Sequence, residues 1–139
     1  MSRFVQLSEA ASLAIHAMIL MAEEVEERRS VKEIAQMLNA SEAHMAKVVQ
    51  RLAKVGFVRT TRGPGGGVVL AKKPDEITFL EVFEAIEGPL DQCPCMLNKE
   101  GLCPFDRCIF SGALEDATAR IREKFAATSL SDYERAKKA

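Results

Sequence analysis

All four cysteines of the 139-residue chain fall within sixteen residues, as Cys93-Pro94-Cys95, Cys103-Pro104 and Cys108. Independent structural cysteines rarely bunch in this way, and a disulfide scaffold is not expected in a chain whose first residues lack a signal-like apolar core. In a reducing compartment, clustered thiolates serve as metal ligands or as a redox pair. Four thiolates suit an iron–sulfur cluster, and prolines beside the ligands suit the irregular backbone such a site needs. They equally satisfy tetrahedral zinc, or they oxidise and act as thiol sensors without a cofactor. The intervals of one, seven and four residues match no standard zinc-ribbon pair, so spacing alone leaves iron–sulfur, zinc and no cofactor all open.

A second constellation is cationic. From Arg28 to Lys73 there are ten basic residues and only two acids, a local charge of +8 in a chain of net charge −1. A basic block inside an acidic chain fits a polyanion site, with the acidic remainder limiting nonspecific adhesion. Its centre, Ala43, His44, Lys47, Gln50 and Arg51, mixes small residues with hydrogen-bond donors at helical spacing. Such a face can enter a major groove and read base edges, while Lys47, Arg51 and Lys54 reach phosphates. Further on, Arg62-Gly63-Pro64-Gly65-Gly66-Gly67 lets backbone approach a ligand closely and puts an arginine at the base of a turn. It lacks the Gly-Lys-Ser/Thr ending and the following helix of a phosphate loop. No nucleophile–base constellation is visible, and neither His16 nor His44 has an acid at triad-like spacing, so an enzyme is not expected.

These groups need elements to hold them. Apolar residues at helical spacing (Ala11, Ile15, Met18, Ile19, Ala22, Val25) predict a first helix over 8–27, with His16 a structural residue beside its apolar face. Ser30-Val31-Lys32-Glu33 has the capping-box pattern and opens a short helix with Ile34, Ala35 and Leu38 inward. Asn39 tolerates the left-handed conformation of a tight turn. Ser41 caps a second helix to about residue 55, with Met45, Val48, Val49 and Leu52 inward, and Gly56 ends it. Two short helices joined by a three-residue turn cross steeply, as in a helix-turn-helix. Strands over 57–61 and 68–70 flank the glycine-rich turn, and Pro74 closes the unit. Thr78-Phe79-Leu80-Glu81 starts another helix, with Leu80, Phe83 and Ile86 expected inside and Gly88-Pro89 as its stop. After the cysteine loop, Ile109, Ala113, Leu114, Ala117, Ile121 and Phe125 predict a long amphipathic helix over 109–127.

The expected fold class is therefore mainly α with a small β-hairpin wing: a winged helix-turn-helix plus a long C-terminal dimerisation helix. The expected divisions are a DNA-binding domain at 1–89, a cysteine-rich sensor loop at 90–108, and the dimerisation helix and tail at 109–139. The RGPGGG wing after a helix-turn-helix, then the segment 81–89 and a cysteine cluster before a long helix, resembles the Rrf family of bacterial winged-helix regulators over nearly the whole chain. That family includes an iron–sulfur regulator and a nitric-oxide sensor.

The absence of a long apolar run and of a signal-like N-terminus gives the expectation of a cytoplasmic protein with no membrane association. The resemblance implies a homodimer, crossed through its C-terminal helices, on a roughly palindromic double-stranded operator. It puts Ala43, Ala46 and Lys47 at base-proximal positions and Arg62 at the minor groove, and with the residue types read above the expected DNA contacts are Ser41, Ala43, His44, Ala46, Lys47, Arg51, Arg62, Gly65 and Gly66. Ala46 stands where an iron–sulfur member carries Glu, which implies a different operator preference. It also implies an iron–sulfur cluster on Cys93, Cys95, Cys103 and Cys108 that controls operator affinity, the regulator acting as a repressor. Cluster-bearing members use three cysteines plus a nearby His or an acid from the partner's first helix. Here Ser111 and Gly112 follow Cys108, and Ser12 stands at the acidic position with Glu9 three residues earlier. The extra thiol of the Cys93–Cys95 pair is the expected substitute. The other readings are a thiol-redox or zinc-responsive regulator without a cluster, and a winged-helix adaptor that binds protein.

Overall fold

A computed structural model describes residues 7–90, 104–107, 109–110 and 112–133. Its order is α1 (Glu9–Glu23), α2 (Val31–Met37), α3 (Glu42–Lys54), β1 (Val58–Thr61), β2 (Gly67–Leu70), α4 (Phe79–Glu87) and α5 (Ala113–Ala127), with a single 3-10 turn, Pro74–Glu76, before α4. Three helix starts follow local chemistry. Ser8 Oγ accepts the Ala11 N–H, Ser30 Oγ that of Glu33, and Ser41 Oγ that of His44, each at 3.0–3.1 Å. Thr78 forms the full capping box with Glu81. Asn39 takes φ 53° in the α2–α3 turn, as its residue type allows.

The core lies where α1, α3 and α4 meet over the inner face of the hairpin. Met18, Ile34, Met45, Leu52, Ile77 and Val82 are fully enclosed. β1 and β2 pair antiparallel with Val58 opposite Leu70 and Thr61 opposite Gly67. Val58, Val68 and Leu70 are buried on one face, while Arg59 and Thr61 occupy the other.

Three expectations are corrected. The first helix stops at Glu23 rather than residue 27, and Val25 is exposed instead of inward. Four glutamates at 23, 24, 26 and 27 oppose the negative end of the helix dipole. Arg29 instead supplies the terminus with a donor, its Nη1 lying 2.9 Å from the Leu20 carbonyl, and pairs with Glu24 and Glu27. In α4 the fully buried residue is Val82, while Leu80, Phe83 and Ile86 are half-buried, because this helix is covered on two sides. Phe79 and Phe83 each pack edge-on against Phe125 of α5, with ring centroids 6.2 and 6.1 Å apart. The last helix begins at Ala113, not residue 109. Gly112 adopts φ 89°, ψ −51°, outside the helical region, and Ile109 stands 71% exposed beyond it.

After α5 the chain returns to the core. The Phe79 N–H donates to the Thr128 carbonyl (2.9 Å) and the Leu130 N–H to the Ile77 carbonyl (3.1 Å), which inserts Leu130 at 0% exposure. Leu130→Ala is expected to destabilise the fold by about 2–5 kcal/mol, the range for emptying a buried leucine site. Urea unfolding measures this directly, and an unchanged midpoint would show that Leu130 does not anchor the chain's return.

Candidate nucleic-acid interface

The α3 helix presents two chemically opposed faces. Met45, Val48, Val49 and Leu52 are buried, whereas Ala43, Lys47, Gln50, Arg51 and Lys54 are exposed. Lys47, Arg51 and Lys54 recur at i, i+4 and i+7, so their side chains form one row. None of the three forms an ion pair among the described residues. A shallow groove runs beside this row, between Ala10 of α1 and His44, Lys47, Gln50, Arg51 and Lys54 of α3.

The predicted residues do not all stand alike on this helix. Ala43 and Lys47 lie on its outer face; Ala46 is half-buried on the flank. Ser41 is exposed, but its hydroxyl is already the helix cap. His44 turns toward α1, its Nδ1 3.8 Å from Glu9 Oε1, an acidic neighbour that sequence spacing does not reveal. His16 is exposed, with Nδ1 2.6 Å from the Ser12 carbonyl.

The wing follows α3 in the chain, and its turn between β1 and β2 is made largely of glycine. The Gly66 N–H donates to the Gly63 carbonyl at 2.9 Å, and Gly65 sits at φ 75°. A Cβ on Gly66 would lie 2.4 Å from the Thr61 carbonyl oxygen, so this position is a steric requirement of the turn. Gly67 has a different reason. Its Cβ would fall 2.9 Å from the Arg29 carbonyl oxygen, because residue 29 runs beside β2 and bridges to Val68. Arg62 is exposed at the base of the turn. Lys72 lies with Nζ 5.5 Å from the Phe57 ring centroid, a cation–π contact under the wing.

Cys93, Cys95, Cys103 and Cys108 lie outside the described residues, as does Ser111. Among the described residues no three His, Cys, Asp or Glu side chains gather to hold a metal. The approach to the cysteine loop is held by Glu84, whose Oε2 accepts the Leu90 N–H at 2.9 Å, and by Glu87, whose carboxylate accepts the Ser8 hydroxyl. No described helix is long and apolar enough to cross a membrane.

A helical core with an antiparallel hairpin following the basic helix α3 defines a winged helix-turn-helix protein. A family model described as Rrf2, iron-dependent transcriptional regulator, matches residues 7–134, and the chain belongs to that family. It is 33% identical over 131 residues to the HTH-type transcriptional regulator NsrR of Geobacillus kaustophilus, covering 91% of this chain and 88% of that protein. It is 32% identical over 100 residues to IscR of Photorhabdus laumondii, covering 72% and 60%. The match to NsrR of Shouchella clausii spans 61% of that protein's length. Among solved structures, CymR, the global cysteine regulator of B. subtilis, superposes with TM-score 0.77 at 26% identity over 94% of this chain and 97% of that one. The IscR of T. potens shares the fold at TM-score 0.73 and 24% identity over 94% and 86%. The chain is thus a transcriptional regulator of the Rrf2 family rather than an enzyme.

Proposed function

We propose that this regulator is a repressor that binds a roughly palindromic operator as a homodimer, with α3 in the major groove and the wing at the adjacent minor groove. The observation that carries the reading is the row Lys47, Arg51 and Lys54, exposed and without an ion pair among the described residues, on a helix whose opposite face is fully enclosed. Ala43, Ala46 and Lys47 then stand nearest the base edges, Arg51 and Lys54 at phosphates, and Arg62 at the minor groove. Gly65 and Gly66 bring wing backbone to the DNA, and Ser41 and His44 hold the start of α3. The exposed Ala113 and Ala117, with Ile109 before them, supply the apolar surface for a second copy. The cytoplasm, where operator DNA lies, is the corresponding location.

We further propose that Cys93, Cys95, Cys103 and Cys108 hold an iron–sulfur cluster that sets operator affinity. The donor set fits: four thiolates are a complete ligand complement for such a cluster, and the family is described as iron-dependent. A bound cluster would supply a redox-active, ligand-sensitive charge centre there. The chain's own part is to connect that loop to the DNA-binding core, through Glu84 and Glu87 at its entry and α5 at its exit. Likeness to the B. subtilis cysteine regulator favours a second reading, in which thiol chemistry or a small sulfur metabolite acts without a cluster.

Iron, acid-labile sulfide and zinc content of anaerobically purified protein, with duplex binding measured across salt concentrations, tests both halves. Iron and sulfide in near-equal amounts support the cluster. Zinc alone makes the loop a zinc site, and neither metal leaves the thiol reading. Binding that does not weaken with salt would remove the DNA reading.

A further inference from the structure

We propose that Arg28 is a phosphate-contacting residue of the wing, paired with Arg62 across the base of the turn. This rests on the DNA-binding reading of the wing and adds a residue to it. Residues 28 and 29 precede α2 and belong to no helix, yet they run alongside β2. The Val68 N–H donates to the Arg29 carbonyl at 2.8 Å, and the Arg29 N–H to the Val68 carbonyl at 3.5 Å. The hairpin therefore gains a third, one-residue strand.

Successive side chains on an extended segment point to opposite faces. Arg29 goes inward, with its side chain only 12% exposed, to the Leu20 carbonyl, Glu24 and Glu27. Arg28 goes outward, where its Nη1 donates to Thr61 Oγ1 at 2.8 Å. Thr61 is the last residue of β1, immediately before Arg62, and both arginines are exposed. Arg59 shares this outer face of the hairpin.

Charge and geometry then favour a phosphate. The nearby glutamates 24 and 27 are engaged by Arg29, and Arg28 has no ion pair among the described residues. One neutral hydroxyl takes one of five guanidinium donors, which leaves a free edge suited to bidentate contact with a phosphate. The Thr61 contact orients the fork before binding, so less side-chain freedom is lost when DNA arrives.

Anisotropy of a labelled duplex, selected by the wild-type protein from a random-sequence pool, tests this across a salt series. Arg28→Ala is expected to bind about five- to tenfold more weakly near ~0.15 M salt, with the log–log salt slope reduced by about one. Arg28→Lys and Thr61→Val keep the cation and are expected to keep the slope, with thermal melts confirming that each variant is folded. An unchanged slope in Arg28→Ala, or a Thr61→Val variant that reproduces its loss, overturns the assignment and makes Arg28 a brace. If Arg62→Ala weakens binding while Arg28→Ala does not, the wing reading survives and only this inference fails. Wild-type protein that shows no salt-dependent binding overturns both.

Discussion

A chain carrying both Lys47→Ala and Arg62→Ala is expected to bind duplex DNA about 30- to 1000-fold more weakly than the wild type, a loss of about 2–4 kcal/mol. In the proposed complex the two side chains would act on different parts of the duplex. Lys47 projects from the middle of α3 and Arg62 from the base of the wing, and no hydrogen bond or ion pair joins the two, so their losses should add. They should also differ in kind. Removing the Arg62 guanidinium, proposed to enter the minor groove, should relax preference for a narrow groove, whereas Lys47→Ala should lower affinity and change preference at the base pairs nearest α3. Neither residue is buried or hydrogen-bonded within the described chain, so the melting temperature should hold. Anisotropy titrations of the single and double variants measure the effect. Affinities within twofold of wild type in both singles would remove α3 and the wing from the DNA surface and revive the protein-adaptor alternative.

The elements that carry this surface were legible because their signals are local. Ser30, Ser41 and Thr78 each accept a backbone N–H three residues on, so the cap is written within one turn of sequence. The inward set Met45, Val48, Val49 and Leu52 follows from helical period alone. What sequence reading missed depends on distant partners. The end of α1 is decided by Arg29, six residues beyond Glu23, turning back to the Leu20 carbonyl. Val82 is buried because α4 is packed on two sides, and one-face periodicity cannot show a second cover. Leu130 enters the core through hydrogen bonds to residues some fifty positions earlier. Arg28 was visible as the first cation of the basic block, but its place beside Thr61 follows from the Arg29–Val68 bridge, which no local pattern announces. His44 likewise gains Glu9 only through the packing of α1 on α3.

Cys95→Ala is expected to lose the iron and sulfide of the purified protein, and Glu9→Ala to retain them. If the cysteine loop supplies all four ligands from one chain, removing any thiolate leaves an incomplete set, whereas an acid on α1 is not needed. The structure gives Glu9 a different occupation. It opens α1, where a carboxylate favours the positive end of the helix dipole, and it lies 3.8 Å from His44 Nδ1. Ser12, at the position where an acidic ligand would be expected, hydrogen-bonds within its own helix through His16 instead. Glu9→Ala should therefore move DNA affinity slightly, through the start of α3, while metal content and the visible spectrum stay as in wild type. Iron retained in Cys95→Ala but lost in Glu9→Ala would defeat the four-thiolate site. It would mean that a carboxylate beside α3 is itself a ligand, so that filling or emptying the site would pull directly on the residue that faces His44.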